Sequence, residues 1–455
     1  MTNLSINDAM FLLGETRDHP AHVIALQLFR PPADAPADYV QQMHEAIIGM
    51  DDIKSVFTKY PVRNRLSPTQ LSWRVDPDLD LGYHVRRSAL PTPGRVRELL
   101  ELVSAHHGVP LHRPRPLWDF QLIEGLADGR FATAFKTHHA LADGMSLARH
   151  VLGGLSTDPT AQDCTPPWIA TKQDEQERET SRPARVKMPI ASRLRDGLLT
   201  APATVRALRD MRFDAAASVP YDAPRSILNA PLTGARRFAG DVWPHARLKA
   251  VAVASSCTVN DVVLAVCSGA LRSYLDELNA LPDKPLIAMV PVSLRGQDSS
   301  ATPGEGNAFG SILCNLRTTD PDAGSRLAGI RESMVGSKER LSGMRPAEVN
   351  AVSRLIMGGS ALTAFGLASP ARQPFNLVIS NVPAASAPLY WNGAEMTELY
   401  PMSMISEGQA MNITVTRYVD KLAFGVVGCR TAVPHLQRML VHLETALAEL
   451  EKATA

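Results

Sequence analysis

The chain is 455 residues long, with 47 Lys and Arg against 46 Asp and Glu and a formal net charge of +1; that length predicts two domains, and the even charge gives no support for wholesale nucleic-acid binding. Five cysteines (Cys164, Cys257, Cys267, Cys314, Cys429) are scattered, odd in number and never in C-x-x-C spacing, which favours a reducing cytoplasm over a disulfide framework or a structural zinc. The N-terminus lacks the basic-then-apolar pattern of a signal peptide, and no run reaches the roughly 18 uninterrupted apolar residues of a spanning helix.

In chain order, Ser5 is the expected N-cap of a short helix through INDAMFLLGE, and HVIALQLF (22–29) reads as a strand. A helix follows in ADYVQQMHEAIIGM, a charged edge strand within 79–89, and an amphipathic helix in GRVRELLELVSAHH. Residues 117–125 and 130–138 form a hairpin across Asp128-Gly129, a strong turn signal. The second arm runs straight into His138-His139-Ala140-Leu141-Ala142-Asp143-Gly144, with helical spacing beyond it. Residues 160–220 change character: Pro166-Pro167 and the cluster KQDEQERE mark a linker. Within it, 182–212 is basic, with an apolar stripe at Ile190, Leu194, Leu198, Val205, Leu208 and Met211. Such a helix suits an anionic membrane surface or a polyanionic cofactor, or is a crossover helix with its arginines solvated. The second half opens near Arg236, with a nearly apolar helix at 258–278 and a buried strand at 284–293 that leads to Leu294-Arg295-Gly296. A strand at 307–316, two helical stretches within 322–368, a central strand at 375–382, a hairpin turning at Val419-Asp420-Lys421 and a C-terminal helix at 434–450 complete it. The mixture predicts an α/β (α+β) fold.

The chemistry suggested at 138–144 is a general base. Imidazole titrates near neutrality, so a neutral histidine can take the proton of a hydroxyl attacking a carbonyl. Asp143 would hold the loop by an ion pair, and Gly144 removes a side chain where a bulky substrate passes. The competing reading is an ordinary strand end with two polar residues and a turn glycine. His106-His107 is a control: Leu111 and His112 stand where Asp and Gly would be needed, and the pair reads as the surface end of a helix. Thr258-Val259-Asn260-Asp261 resembles a helix capping box as much as a site edge. Pro116-Leu117-Trp118 reads as a strand start with a buried indole, and Asn376, Ser380 and Asn381 on a central strand must find partners. A metal hydrolase is disfavoured, since adjacent histidines on one strand face opposite ways and no acidic cluster completes a site.

These segments resemble the bacterial wax ester synthase/diacylglycerol acyltransferase family, part of the wider HHxxxDG acyltransferase superfamily. The resemblance is carried by LSINDAMFLLGE, Pro116-Leu117-Trp118, residues 138–144, Asn260-Asp261-Val262-Val263, PVSLR at 291–295 and NLVISNVP at 376–383, in that order along nearly the whole chain. It implies the two-lobed fold of chloramphenicol acetyltransferase, with mixed sheets, flanking helices and an active-site tunnel between lobes. The expected layout is an N-terminal lobe at 1–160, a partly disordered crossover linker at 161–225, and a C-terminal lobe at 226–455.

The resemblance also implies transfer of a fatty acyl group from acyl-CoA to a long-chain alcohol or to diacylglycerol. His139 is then the base, His138 a support, Asp143 a structural residue paired with Arg295, and Asn260 a candidate for the oxyanion or the site edge. Substrate contacts are expected from Pro116, Leu117, Trp118 and Asp261. Tunnel walls are expected from Met357, Gly358 and Gly359 with Leu362, Phe365 and Leu367, and from Met402 and Met404 with Ile405. No metal and no permanent cofactor are expected, acyl-CoA being a co-substrate. The expected setting is cytoplasmic, peripheral to the inner membrane or lipid droplets, with a homodimer open. Rivals are an HHxxxDG acyltransferase for a polyketide, sugar or peptide acceptor, and a non-catalytic lipid-droplet or membrane binder.

Overall fold

Strands that alternate and strands that are apolar throughout both occur in this chain, and in a computed structural model they build two six-stranded sheets. The structure describes residues 2–4, 6–64, 67–171, 221–293, 309–344, 348–349, 352–353, 356 and 373–454. The expected cap at Ser5 and most of the linker, with its basic helix, lie outside them.

The first part runs β1 (Thr2–Asn3), α1 (Ile6–Gly14), β2 (His22–Arg30), α2 (Tyr39–Ile48), β3 (Lys59–Asn64), β4 (Ser67–Val75) and α3 (Leu81–His84). It continues with β5 (Val85–Ala89), α4 (Val96–His107), β6 (Trp118–Glu124), β7 (Phe131–His138) and α5 (Gly144–Gly153). After the linker come β8 (Arg236–Pro244), α6 (His245–Ala254), α7 (Val259–Glu277), β9 (Ile287–Ser293), β10 (Phe309–Asn315) and α8 (Ala323–Ser342). The chain closes with β11 (Leu377–Pro383), β12 (Tyr390–Trp391), β13 (Ala394–Met402), β14 (Met411–Tyr418), β15 (Lys421–Cys429) and α9 (Arg438–Thr454).

The first sheet has the order β12-β13-β2-β7-β6-β5. β7 is buried along its whole length and β2 along all but its last residue, because both faces of this sheet are covered. Even-numbered residues such as Leu26 and Ala134 face the core shared with α4, while Phe29, Phe131 and Phe135 face an aromatic cluster with Trp118 and Trp168. The antiparallel register sets His22 opposite His138.

The second sheet has the order β10-β9-β11-β14-β15-β8, with β11 parallel to both neighbours. Helix α7 packs on it beside α8 and α9. Its start is a full capping box: Thr258 Oγ1 accepts from the Asp261 amide (3.2 Å), and the Thr258 amide donates to Asp261 Oδ2 (2.9 Å).

One expectation is corrected here. Residues 226–455 do not all serve a second lobe, because β12 and β13 complete the first sheet, with Met402 opposite Ile24 on β2. Without β13 the buried strand β2 would be a bare edge, with its ladder groups unpaired. The main core cluster likewise runs from Ile24 and Leu26 to Val426 and Leu450, so the lobes share one core. Among the described residues no single helix is long and apolar enough to cross a membrane; the bent pair α6 and α7 passes that test only jointly.

Candidate active site

β7 delivers the histidine pair to the end of the first sheet. The His138 amide donates to the Leu117 carbonyl (2.9 Å), just before β6, and the His139 amide to the Ala21 carbonyl (2.8 Å), just before β2. The loop is thus tied to both flanking strands, and successive residues of extended chain point opposite ways, so the two rings part.

His138 turns inward and is fully buried. The Ala140 amide donates to its Nδ1 (3.1 Å), which leaves the proton on Nε2, 3.5 Å from Glu15 Oε1. Glu15 also accepts from the Ala21 amide (3.0 Å) and from Arg113 (3.0 Å). Burial pushes the Glu15 carboxyl up, but His138, Ala21 and Arg113 together hold it below the usual range. This carboxylate therefore ties the end of α1, the start of β2 and His138 into one unit. The sequence reading missed it: Glu15 closes the LSINDAMFLLGE segment, but nothing local says that it reaches residue 138.

His139 is half-buried, its ring stacked on Phe11 of α1 with centroids 4.2 Å apart. Burial lowers its pKa from 6.5 to about 4, against the opposing pull of the Asp143 charge. The imidazole is neutral at pH 7, the form that can accept a proton. Asp143 caps α5, its Oδ1 accepting from the Ser146 amide (2.8 Å). A Cβ built on Gly144 would meet no atom within 4 Å, so the space in front of that residue is open.

Helix α5 lies against β11, which places the histidine loop where the two sheets meet. On that side Ser380 Oγ and Thr414 Oγ1 are 2.9 Å apart, and Thr414 donates to Asn412 Oδ1 (2.9 Å). Asn376 is consumed by structure: it accepts from the Ile287 amide (2.9 Å) and donates to Pro224 and Asn229 (2.8 Å each). Asn381 is exposed.

Several expected site residues lie elsewhere. Trp118 is packed in the core: it is 1 % exposed, donates its indole N–H to the Phe57 carbonyl (2.8 Å) and stacks on Trp168 and His84. Pro116 and Leu117 are buried beside it, with Leu117 packed under α1. Met402 is a core residue of β13 at 1 % exposure, whereas Met404 is half-buried. Asp261 spends its carboxylate on its own helix start, and among the described residues no hydrogen bond joins Asn260 or Asp261 to the histidine loop. His107 is not at a surface: it is fully buried with its ring edge-on to His22, because Lys136 and β2 draw the end of α4 onto the sheet. Arg295, Met357, Gly358, Gly359, Leu362, Phe365 and Leu367 lie outside the described residues. Among the described residues no group of three or more His, Cys, Asp or Glu is placed to hold a metal.

Comparison with known proteins agrees with this arrangement. The family model described as the wax ester synthase/diacylglycerol acyltransferase catalytic domain matches residues 4–263, and that of the WS/DGAT C-terminal domain matches 305–451. A putative diacylglycerol O-acyltransferase of Mycobacterium tuberculosis is 48 % identical over 448 residues, covering 98 % of both chains. The O-acyltransferase WSD of Acinetobacter baylyi is 40 % identical over 453 residues, covering 98 % of this chain and 96 % of its own. The solved wax ester synthase/diacylglycerol acyltransferase from Marinobacter aquaeolei VT8 superposes with a TM-score of 0.79 at 38 % identity, covering both chains completely. The first condensation domain of the calcium-dependent antibiotic synthetase shares the fold at a TM-score of 0.58 and 17 % identity, covering 100 % of this chain and 97 % of its own. With both family models matched in order and relatives alike from end to end, the chain is an acyltransferase belonging to the wax ester synthase/diacylglycerol acyltransferase family.

Proposed function

We propose that this enzyme moves a fatty acyl group from acyl-CoA to a long-chain alcohol or to diacylglycerol, with His139 as general base. The observation that carries the reading is the state of His139: neutral, half-buried between the sheets, braced on Phe11 and pinned through its amide to Ala21. The acceptor hydroxyl gives its proton to the imidazole as its oxygen attacks the thioester carbonyl. The tetrahedral intermediate collapses by breaking the C–S bond, and the leaving thiolate takes the proton back from His139. No covalent acyl-enzyme is needed. Bracing the base in place lowers the entropic part of the barrier. Asp143 would position the loop rather than relay protons, since its carboxylate caps α5. Water-insoluble acceptors require the enzyme to meet a lipid surface, so a peripheral membrane or lipid-droplet contact belongs to the same reading.

The test is CoA thiol release from palmitoyl-CoA, with hexadecanol or diacylglycerol, in the wild type and in His139→Ala. Acceptor-dependent release that disappears in a folded variant supports the reading, and the better acceptor fixes the product. Undiminished release from His139→Ala would remove the base assigned here.

A further inference from the structure

The two halves of the chain together line a cleft of about 920 Å3. Its walls come from the α1–β2 connection, the C-terminal end of α4, the approach to β8 and the residue after β15. Four arginines line it, Arg17, Arg236, Arg237 and Arg430, against two acids, Asp18 and Glu101. Both acids are engaged: Asp18 Oδ1 accepts from the Gly234 amide (2.9 Å), and Glu101 faces Arg97 (3.2 Å) and Arg237 (3.6 Å).

Arg236 is the decisive residue. It is 5 % exposed and donates to the backbone carbonyls of Asp18 (2.7 Å) and Thr233, while its Nε has no partner among the described residues. An arginine cannot shed its charge, and a buried cation is costly unless an anion meets it; the charges of Asp18 and Glu407 offset the burial of Arg236 only in part. Arg17 and Arg430 stand exposed at the rim, with no ion pair to a described residue. The arginines offer donors to phosphate, and Ala105, Val109, Pro110 and Ala235 make up the apolar part of the wall.

The cleft also lies within reach of the base. The His139 amide is bonded to the Ala21 carbonyl, and Arg17 precedes Ala21 by four residues, a separation of at most about 14 Å between their α-carbons. A pantetheine arm bridges a gap of that order. We propose that this cleft holds the phosphate groups of the CoA moiety, with Arg17, Arg237 and Arg430 at its rim and Arg236 in its wall. The proposal rests on the acyl-CoA reading above and adds the place where the nucleotide end docks.

Its test pairs Arg17→Ala/Arg430→Ala, at two exposed positions, with two kinds of probe. Adenosine 3′,5′-bisphosphate, which carries phosphate but no thioester, is titrated calorimetrically. Palmitoyl-CoA is compared with S-palmitoyl-N-acetylcysteamine, which carries the thioester but no phosphate. Loss of charge-assisted contacts should weaken nucleotide binding and raise KM for palmitoyl-CoA by about tenfold, with kcat and turnover of the short thioester unchanged. Unaltered nucleotide binding overturns the proposal, as does an equal loss with both thioesters. So does release of the variant from phosphatidylglycerol vesicles with nucleotide binding intact, which would make the cleft a lipid-headgroup contact. Because the calorimetric arm needs no turnover, it decides the cleft even if the wild type fails the thiol-release assay.

Discussion

The neutral state of His139 has a direct kinetic consequence. A histidine of ordinary pKa loses half of its basic form near pH 6.5, whereas burial brings His139 to about 4. In kcat/KM for acyl transfer, activity should therefore hold level from pH 7.5 down to pH 6. A half-loss centred near 6.5 would show that the ring is not held in its buried state. The same shift acts on stability with a definite sign. Between pH 4 and 6.5 the unfolded chain binds the proton that folded His139 refuses, so stability falls as pH falls through that window. His22 and His107, fully buried and likewise lowered by burial, add to the effect. Glu15 offers the second test. Replacing a charge-assisted contact costs about 1.5–3 kcal/mol, so Glu15→Gln should lower kcat by about tenfold or more with KM unchanged, because it loosens His138 without touching substrate. A change in KM alone would argue against this positioning role. His139 was legible in the sequence because its neighbours form a contiguous pattern. Glu15 and Phe11 were not, since their contacts with residues 138 and 139 are made by the fold, 123 to 128 positions away.

At the scale of elements, periodicity and punctuation located several strands and helices to within a few residues, while β3, β4, β8, α6, β12 and β13 went unread. The hairpin across Asp128-Gly129 and the helix after Thr258 are instances, the first turning at Gly129 with φ +78°. What periodicity cannot encode is partnership. Nothing in the alternation of 394–402 says which of two sheets that strand will join, and only the free edge of β2 selects it. Burial of a helix end is equally hidden. His106-His107 looks like a solvated terminus, yet Lys136 reaches the carbonyls of His106 (2.9 Å) and Val109 (2.6 Å) and draws that end onto the sheet. A cation at a helix C-terminus is favourable there, although burial still lowers the Lys136 pKa to about 8. The capping box of α7 gives the prediction at this scale. Thr258→Ala should cost about 1 kcal/mol of stability, read by denaturant midpoint, with kcat intact. A fall in kcat without loss of stability would mean that this helix start belongs to the catalytic centre and not only to its support.

The whole molecule is held by a core that ignores the division suggested by length. Leu26 and Ala134 of the first sheet and Val426 and Leu443 of the second half lie in one buried cluster, and β13 returns from the second half to cover β2. A chain built this way should unfold in one transition, because neither half retains its core or its sheet edge alone. Leu26→Ala and Val426→Ala, one on each side, are each expected to cost about 1–5 kcal/mol, the range for deleting buried aliphatic groups. Calorimetry should show both substitutions lowering the same single transition. Two separated transitions, each moved by only one substitution, would show that the lobes are energetically independent and that the shared cluster is mere contact. The catalytic consequence follows from the same geometry. The histidine loop sits on one sheet and meets β11 of the other through α5, so a substitution that loosens the common core should reduce transfer activity before the midpoint of global unfolding.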